Sequence, residues 1–252
     1  MASHPPSDCC TVGVKHEGEP TGTTFKLADN IETYVAEPKG KQKDAAILFI
    51  TDVLGVWQNS QLMADQFAAN GYYTLLPDLF DGDPIPLNGS LAVGLMEWLK
   101  NGSDGKHPHT SASVDPIVEK ALKYLKEEKG FKKVGAVGYC FGGKYVARFL
   151  AEGKGIDVGY TAHPSFVTDE ELAAITGPFS ISAAETDTIF TTELRHKSEA
   201  ILIGTKQPFQ INLFSGVSHG FAMRGDLSVK SEKFGREQAF LQAVAWFNEH
   251  LS

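Results

Sequence analysis

The stretch Gly135-Ala136-Val137-Gly138-Tyr139-Cys140-Phe141-Gly142-Gly143 constrains this chain more than any other. Lys132-Lys133-Val134 opens an apolar run before it, and Lys144 to Leu150 read as a helix after it. The pattern predicts strand, sharp turn and helix, with Gly138-x-Cys140-x-Gly142 placing a cysteine at the apex of a nucleophile elbow. Side chains two residues either way from a strained apex would collide with the strand or the helix, which is why glycine stands there. The helix N-terminus turns free N–H groups toward the sulfur and favours thiolate over thiol. Cys140 is therefore expected to be a nucleophile and the cysteine most reactive to alkylation. A buried structural cysteine in a Gly-rich turn is the competing reading, and the rest of the chain decides between them.

Around the elbow, the apolar patterns alternate in type. Phe25-Lys26-Leu27 and Ile31 to Ala36 read as a hairpin, and Ala45 to Thr51 and Tyr72 to Leu76 as strands buried on both faces. Ile156 to Thr161, Phe179 to Ala183 and Phe209 to Phe214 add further strands. Helical spacing runs from Ser60 to Ala69, from Val114 to Leu125 and through Phe240, Val244, Phe247 and Leu251. Strands alternating with helices predict an α/β fold: a mostly parallel sheet of about eight strands with helices on both faces. One domain is expected over residues 25–252, preceded by an extended surface arm over 1–24. Residues 81–112 form a long insertion whose Leu91, Leu95, Met96, Trp98 and Leu99 need cover, so it is expected to act as a lid with Trp98 or its neighbours walling the pocket.

Composition narrows the partners. A net charge of −8 argues against nucleic acid and anionic membrane surfaces. No apolar run approaches the roughly 20 residues that span a bilayer. The N-terminus lacks a basic-then-apolar signal, so a cytoplasmic location is expected. Cys9 and Cys10 are adjacent and, with His16, make a poor metal set, so no metal is expected.

A cysteine nucleophile needs a base, and the base an orienting acid, each after a late strand in the order nucleophile, acid, histidine. Asp187 lies in Glu185-Thr186-Asp187-Thr188 and His219 in Ser218-His219-Gly220-Phe221, both in that order. Glu185 competes for the acid role, and Asp187 is preferred for its distance past the strand. The backbone N–H groups of Phe141 and Val53 are the candidate oxyanion hole. Asp52 sits at the mouth of the Val53 loop, and His163, at the end of its strand, faces the same sheet edge.

Gly138-Tyr139-Cys140-Phe141-Gly142-Gly143, Ser218-His219-Gly220-Phe221 and Asp52-Val53-Leu54-Gly55 together resemble the dienelactone hydrolase family of α/β-hydrolases from about residue 25 to the C-terminus. The Cys9-Cys10 leader resembles its fungal and other eukaryotic members. The resemblance implies a Cys140–His219–Asp187 triad, no metal or organic cofactor, and attack on a small lactone or ester carbonyl. It brings Tyr139, Leu54, Phe221, Met223 and Arg224 toward the pocket as substrate-side or supporting residues. Two positions depart from the family. Bacterial members carry a thiol-pairing glutamate where Asp52 stands, and a carboxylate-binding arginine at the position of Met223, beside Arg224. Both weigh against dienelactone itself as substrate. The expected enzyme is a cysteine-dependent hydrolase, monomeric or homodimeric; the alternative is a cyclase, isomerase or acyl-transfer enzyme of secondary metabolism on the same fold.

Overall fold

The continuous apolar runs become strands with no wet face. Every residue of β3 (Ala45–Ile50) and β4 (Tyr73–Pro77) is buried, as a sheet covered on both sides requires. This computed structural model describes residues 1–89 and 93–252 except the Asp29 side chain, so the part expected of Leu91 in the insertion lies outside the described residues. The hairpin pairs β1 (Thr23–Leu27) with β2 (Ile31–Ala36), and β5 (Lys133–Tyr139), β6 (Val158–Ala162), β7 (Phe179–Thr186) and β8 (Phe209–Ser218) complete one sheet. Its eight strands run in the order β1-β2-β4-β3-β5-β6-β7-β8. β2 is antiparallel to both neighbours, and all pairings from β4 to β8 are parallel.

The helices are α1 (Gln58–Ala69), α2 (Leu95–Asn101), α3 (Ser111–Lys123), α4 (Gly142–Phe149), α5 (Asp169–Ala173), α6 (Thr192–Thr205), α7 (Phe221–Arg224) and α8 (Lys230–His250). Met63 and Phe67 of α1, Phe221 of α7 and Phe247 of α8 build one core layer with Phe49 and Val137. Trp98, Val118, Tyr145, Leu172 and Leu202 from α2 to α6 build the other. Consecutive parallel strands thus deliver their carboxyl-end loops to one edge, where ligands of open α/β sheets bind.

The arm runs over the fold but is pinned into it at several of its first sixteen residues. Ala2, Ser3, Cys10 and His16 are buried. The chain donates from Ala2 N to Val167 O and from His4 N to Ile189 O, while Gly13 is held on both sides by the Asn88 amide. Asn59 clamps Val14 O and His16 N. A polar segment without periodicity reads as surface because nothing local signals these distant amide partners. His16 points to Gly225 O at 2.8 Å, away from the two cysteines.

Within the insertion, Trp98 and its neighbours part ways. Trp98 is fully buried, donates from Nε1 to Asp83 O at 2.9 Å, and packs on Phe80 and His109. It anchors α2 instead of walling a pocket, because an indole with its N–H satisfied inward has no polar reason to face the cleft. Its neighbours Met96 and Leu99 instead border a cavity of about 590 Å³ together with Phe141, Tyr145 and Phe166.

Candidate active site

Five parallel strands end within one neighbourhood, and each contributes to it. β3 is followed by Asp52 and Val53, β5 by Cys140, β6 by His163, β7 by Asp187 and β8 by His219. The register sets this convergence: Gly138 pairs with both Ile50 and Thr161, and Thr186 with Ser218. His219 N then donates to Thr186 O across the same ladder.

At the elbow, Cys140 has φ +49°. This is left-handed backbone that a non-glycine residue adopts only where its surroundings impose it. A Cβ at Gly138 would sit 2.6 Å from Gly142 O, and one at Gly142 would run into the Ile50 carbonyl. These glycines let strand, turn and α4 pack without a gap.

The acid and the histidine meet. Asp187 Oδ2 lies 2.8 Å from His219 Nδ1, and Asp187 Oδ1 accepts from Ile189 N and Phe190 N. Glu185 is turned outward to Gly216 N at 2.6 Å and is exposed, so it takes no part. Burial works against ionising Asp187, yet the His219 imidazole and the two loop N–H groups hold its carboxyl below the usual range. Burial likewise opposes charge on His219, but Cys140 and Asp187 hold its imidazole up at about 10. Burial opposes ionising Cys140, and the Cys10 hydrogen bond with the His219 and Arg224 charges outweighs it, placing the thiol well below its ordinary value. Both shifts run toward a thiolate at Cys140 and an imidazolium at His219.

One residue sequence reasoning left aside enters this site. Cys10, fully buried, lies with its Sγ 3.2 Å from Cys140 Sγ and 3.6 Å from His219 Nε2. Burial and its thiol neighbours push the Cys10 thiol well up. Weighed only beside His16, and set aside there as a poor metal set, the cysteine pair gave no sign that Cys10 lies against the imidazole of His219.

Arg224 joins the arm to the site. Its guanidinium is buried and donates to Asp52 Oδ2 at 2.9 Å, to Val12 O at 3.0 Å and to Cys9 O at 3.2 Å. Burial pushes the Asp52 carboxyl up to about 6 against the pull of Arg224. Asp52 Oδ1 accepts from Leu54 N at 3.0 Å, which shapes the loop after β3. Asp52 is thus tied to Arg224, and Arg224 is spent on the arm and on Asp52.

The other expected residues are placed as follows. Val53 is buried, and among the described residues neither its N–H nor that of Phe141 donates a loop hydrogen bond. His163 is fully buried, its ring 5.0 Å from that of His219 and 5.6 Å from Phe221, with neither ring nitrogen bonded among the described residues. Burial and the positive His219 and Arg224 hold His163 neutral. Tyr139 and Met223 lie in the core layer of α1 and α8, with Tyr139 against Phe49.

Three comparisons bear on this arrangement. The sequence profile of the dienelactone hydrolase family matches residues 31–251. "Hydrolase pyvD" of Aspergillus violaceofuscus is 48% identical over 252 residues, covering 100% of this chain and 99% of that protein. "Hydrolase tropI" of Talaromyces stipitatus is also 48% identical, with 100% and 99% covered. "Dienlactone hydrolase 1" of Gibberella moniliformis is 35% identical over 98% of this chain and 95% of its own. In fold, a dienelactone hydrolase-like promiscuous phosphotriesterase from metagenomic libraries superposes with a TM-score of 0.71 at 16% identity, covering 91% of this chain and 98% of that one.

Proposed function

Because the chain belongs to the dienelactone hydrolase family, whose profile spans most of its length, we propose that this ester hydrolase opens small lactones or esters through an acyl-enzyme on Cys140. The observation that carries this reading is the hydrogen bond from His219 to Asp187 at 2.8 Å, with Nε2 turned toward the Cys10–Cys140 sulfur pair.

In this mechanism the Cys140 thiolate attacks the carbonyl carbon. The carbonyl oxygen gains charge, and the N–H groups of Val53 and Phe141 receive it. His219, protonated at Nε2, gives that proton to the leaving alkoxide. As neutral imidazole it then takes a proton from water, whose oxygen attacks the thioester and releases the acid. Asp187 keeps Nδ1 protonated and Nε2 aimed at the reaction. Since Cys140 has no exposed surface, the turn carrying Cys10 must yield space to the substrate. The apolar cavity beside Phe141 suits the hydrocarbon part of such a substrate.

A panel of lactones and aryl esters, hydrolysed in ¹⁸O-labelled water, tests the reading. It expects one labelled oxygen in the released acid and no turnover by Cys140→Ala. Product that carries no label would point to cyclisation or acyl transfer instead.

A further inference from the structure

Where the N-terminal arm meets the elbow, three donor atoms face one another. The Sγ atoms of Cys10 and Cys140 and a ring nitrogen of His219 lie within 4.8 Å of one another, and all three residues are buried. The two sulfurs are 3.2 Å apart, and Cys10 Sγ is 3.6 Å from His219 Nε2. We propose that Cys10, Cys140 and His219 form a binding site for a soft d¹⁰ cation, represented by Zn²⁺, whose occupancy closes the site to an ester.

Size agrees with this. Zinc bonds of about 2.3 Å to sulfur and about 2.0 Å to nitrogen put tetrahedral donors roughly 3.5–3.8 Å apart. The sulfurs need to separate by only a fraction of an ångström to admit the ion. The donor set, two thiolates and an imidazole, suits zinc or cuprous ions and disfavours magnesium or calcium.

Orientation agrees as well. His219 keeps Nδ1–H on Asp187, which fixes the tautomer and leaves the Nε2 lone pair for the ion. Asp187 is itself held by the N–H groups of Ile189 and Phe190, so the outer shell of the site is complete. Charge closes the account. On binding, Cys10 and the His219 Nε2 position give their protons to solvent, and two thiolates then cancel the two charges of the cation. A neutral cluster is what a fully buried position favours, because an unpaired charge there would be strongly disfavoured. The nearby Asp52 and Arg224 already neutralise each other.

Cys10 is what separates this site from any cysteine–histidine pair. It supplies a third donor from a segment 130 residues away in sequence, held in place by the arm's own hydrogen bonds. A bound ion occupies both the Cys140 sulfur and His219 Nε2, so hydrolysis stops and returns on chelation. The binding stands apart from the hydrolytic reading; the inhibition rests on it.

The test uses the reduced, chelator-treated full chain with Zn²⁺ followed by native mass spectrometry, and with Co²⁺ followed by visible absorption. One ion per chain and thiolate-to-cobalt charge-transfer bands from two sulfurs are expected. Cys10→Ser should lower Zn²⁺ affinity by more than about 100-fold, and Asp187→Asn by about 10- to 100-fold, the range for losing an outer-shell partner. Cys9→Ser should still bind one ion. No uptake by the wild type, or equal affinity in Cys10→Ser, overturns the site. Should Cys10→Ser fail to fold by circular dichroism, the wild-type cobalt spectrum still decides: bands from one sulfur or none contradict it. Metal uptake by a protein with no hydrolytic activity would count against the hydrolase reading and leave the binding site standing.

Discussion

Two segments bring cysteine sulfurs to one point, by different physics. The elbow holds Cys140 through local sterics: φ +49° at the cysteine, and glycines at 138 and 142 where a Cβ would strike Gly142 O or the Ile50 carbonyl. The arm holds Cys10 through hydrogen bonds to distant partners, Gly13 to Asn88 75 residues on and Cys9 O to Arg224 215 residues on. The first kind of restraint is written in a run of nine residues. The second exists only once the sheet has formed and has brought α1, α7 and the insertion together. A site with both is a rigid cysteine beneath a cover that depends on the whole fold.

The largest effect should come from the chemistry that both segments surround. Asp187→Asn is expected to lower turnover by about 10⁴, since the amide cannot stabilise imidazolium and favours the wrong tautomer. Glu185→Gln, at an outward-facing side chain, should change turnover little. Steady-state kinetics on both variants checks the pair, and the reverse ranking would move the acid role to Glu185.

Breaking the arm's anchor comes next. Arg224→Met leaves Asp52 buried without its partner and frees the carbonyls of Val12 and Cys9. A loss of about 3–5 kcal/mol is expected in denaturant melts, with new protease cutting near Cys9. Retained protection there would mean that Asn59 and Asn88 suffice to hold the arm. Trp98→Ala probes the third covering segment, which is held by core packing, and should lose about 3–5 kcal/mol with ester preference unchanged. A shifted preference at full stability would instead restore Trp98 to the pocket wall.

Breaking the elbow is a smaller, local event in stability. Gly142→Ala forces a methyl against the Ile50 carbonyl and should cost about 1–3 kcal/mol, while the arm stays protected. The smallest effect is one of order. Although the elbow predicts Cys140 as the thiol most open to alkylation, it has no exposed surface, whereas Cys9 is partly exposed and its hydrogen bond from Cys10 lowers its thiol to about 6. Brief iodoacetamide treatment should label Cys9 first, and Arg224→Met should speed labelling of Cys140. Peptide mapping reads both.

These contrasts explain what the sequence discloses. The glycines around Cys140, the apolar strands, and the order of Asp187 and His219 are short-range signals; the strands and the elbow turn form where read, and Asp187 lies against His219. Helix α6 went unread because its apolar residues Leu194, Ala200, Ile201, Leu202 and Ile203 keep no single face, and only Ser198 and Leu202 of the helix are buried. The burial of Cys10 and the use of Arg224 on Asp52 and two arm carbonyls had no local sign at all. A polar arm and a lone arginine become legible only when partners from remote strands are known.

The central claim is that Cys140 carries the acyl group. A slowly hydrolysed aryl ester, mixed with the full chain and quenched in acid, tests it by intact mass and peptide mapping. The account predicts a single acyl addition on the peptide holding Cys140, absent in Cys140→Ala. An acyl group on Cys9, Cys10 or a serine, or an adduct that persists in Cys140→Ala, would contradict it.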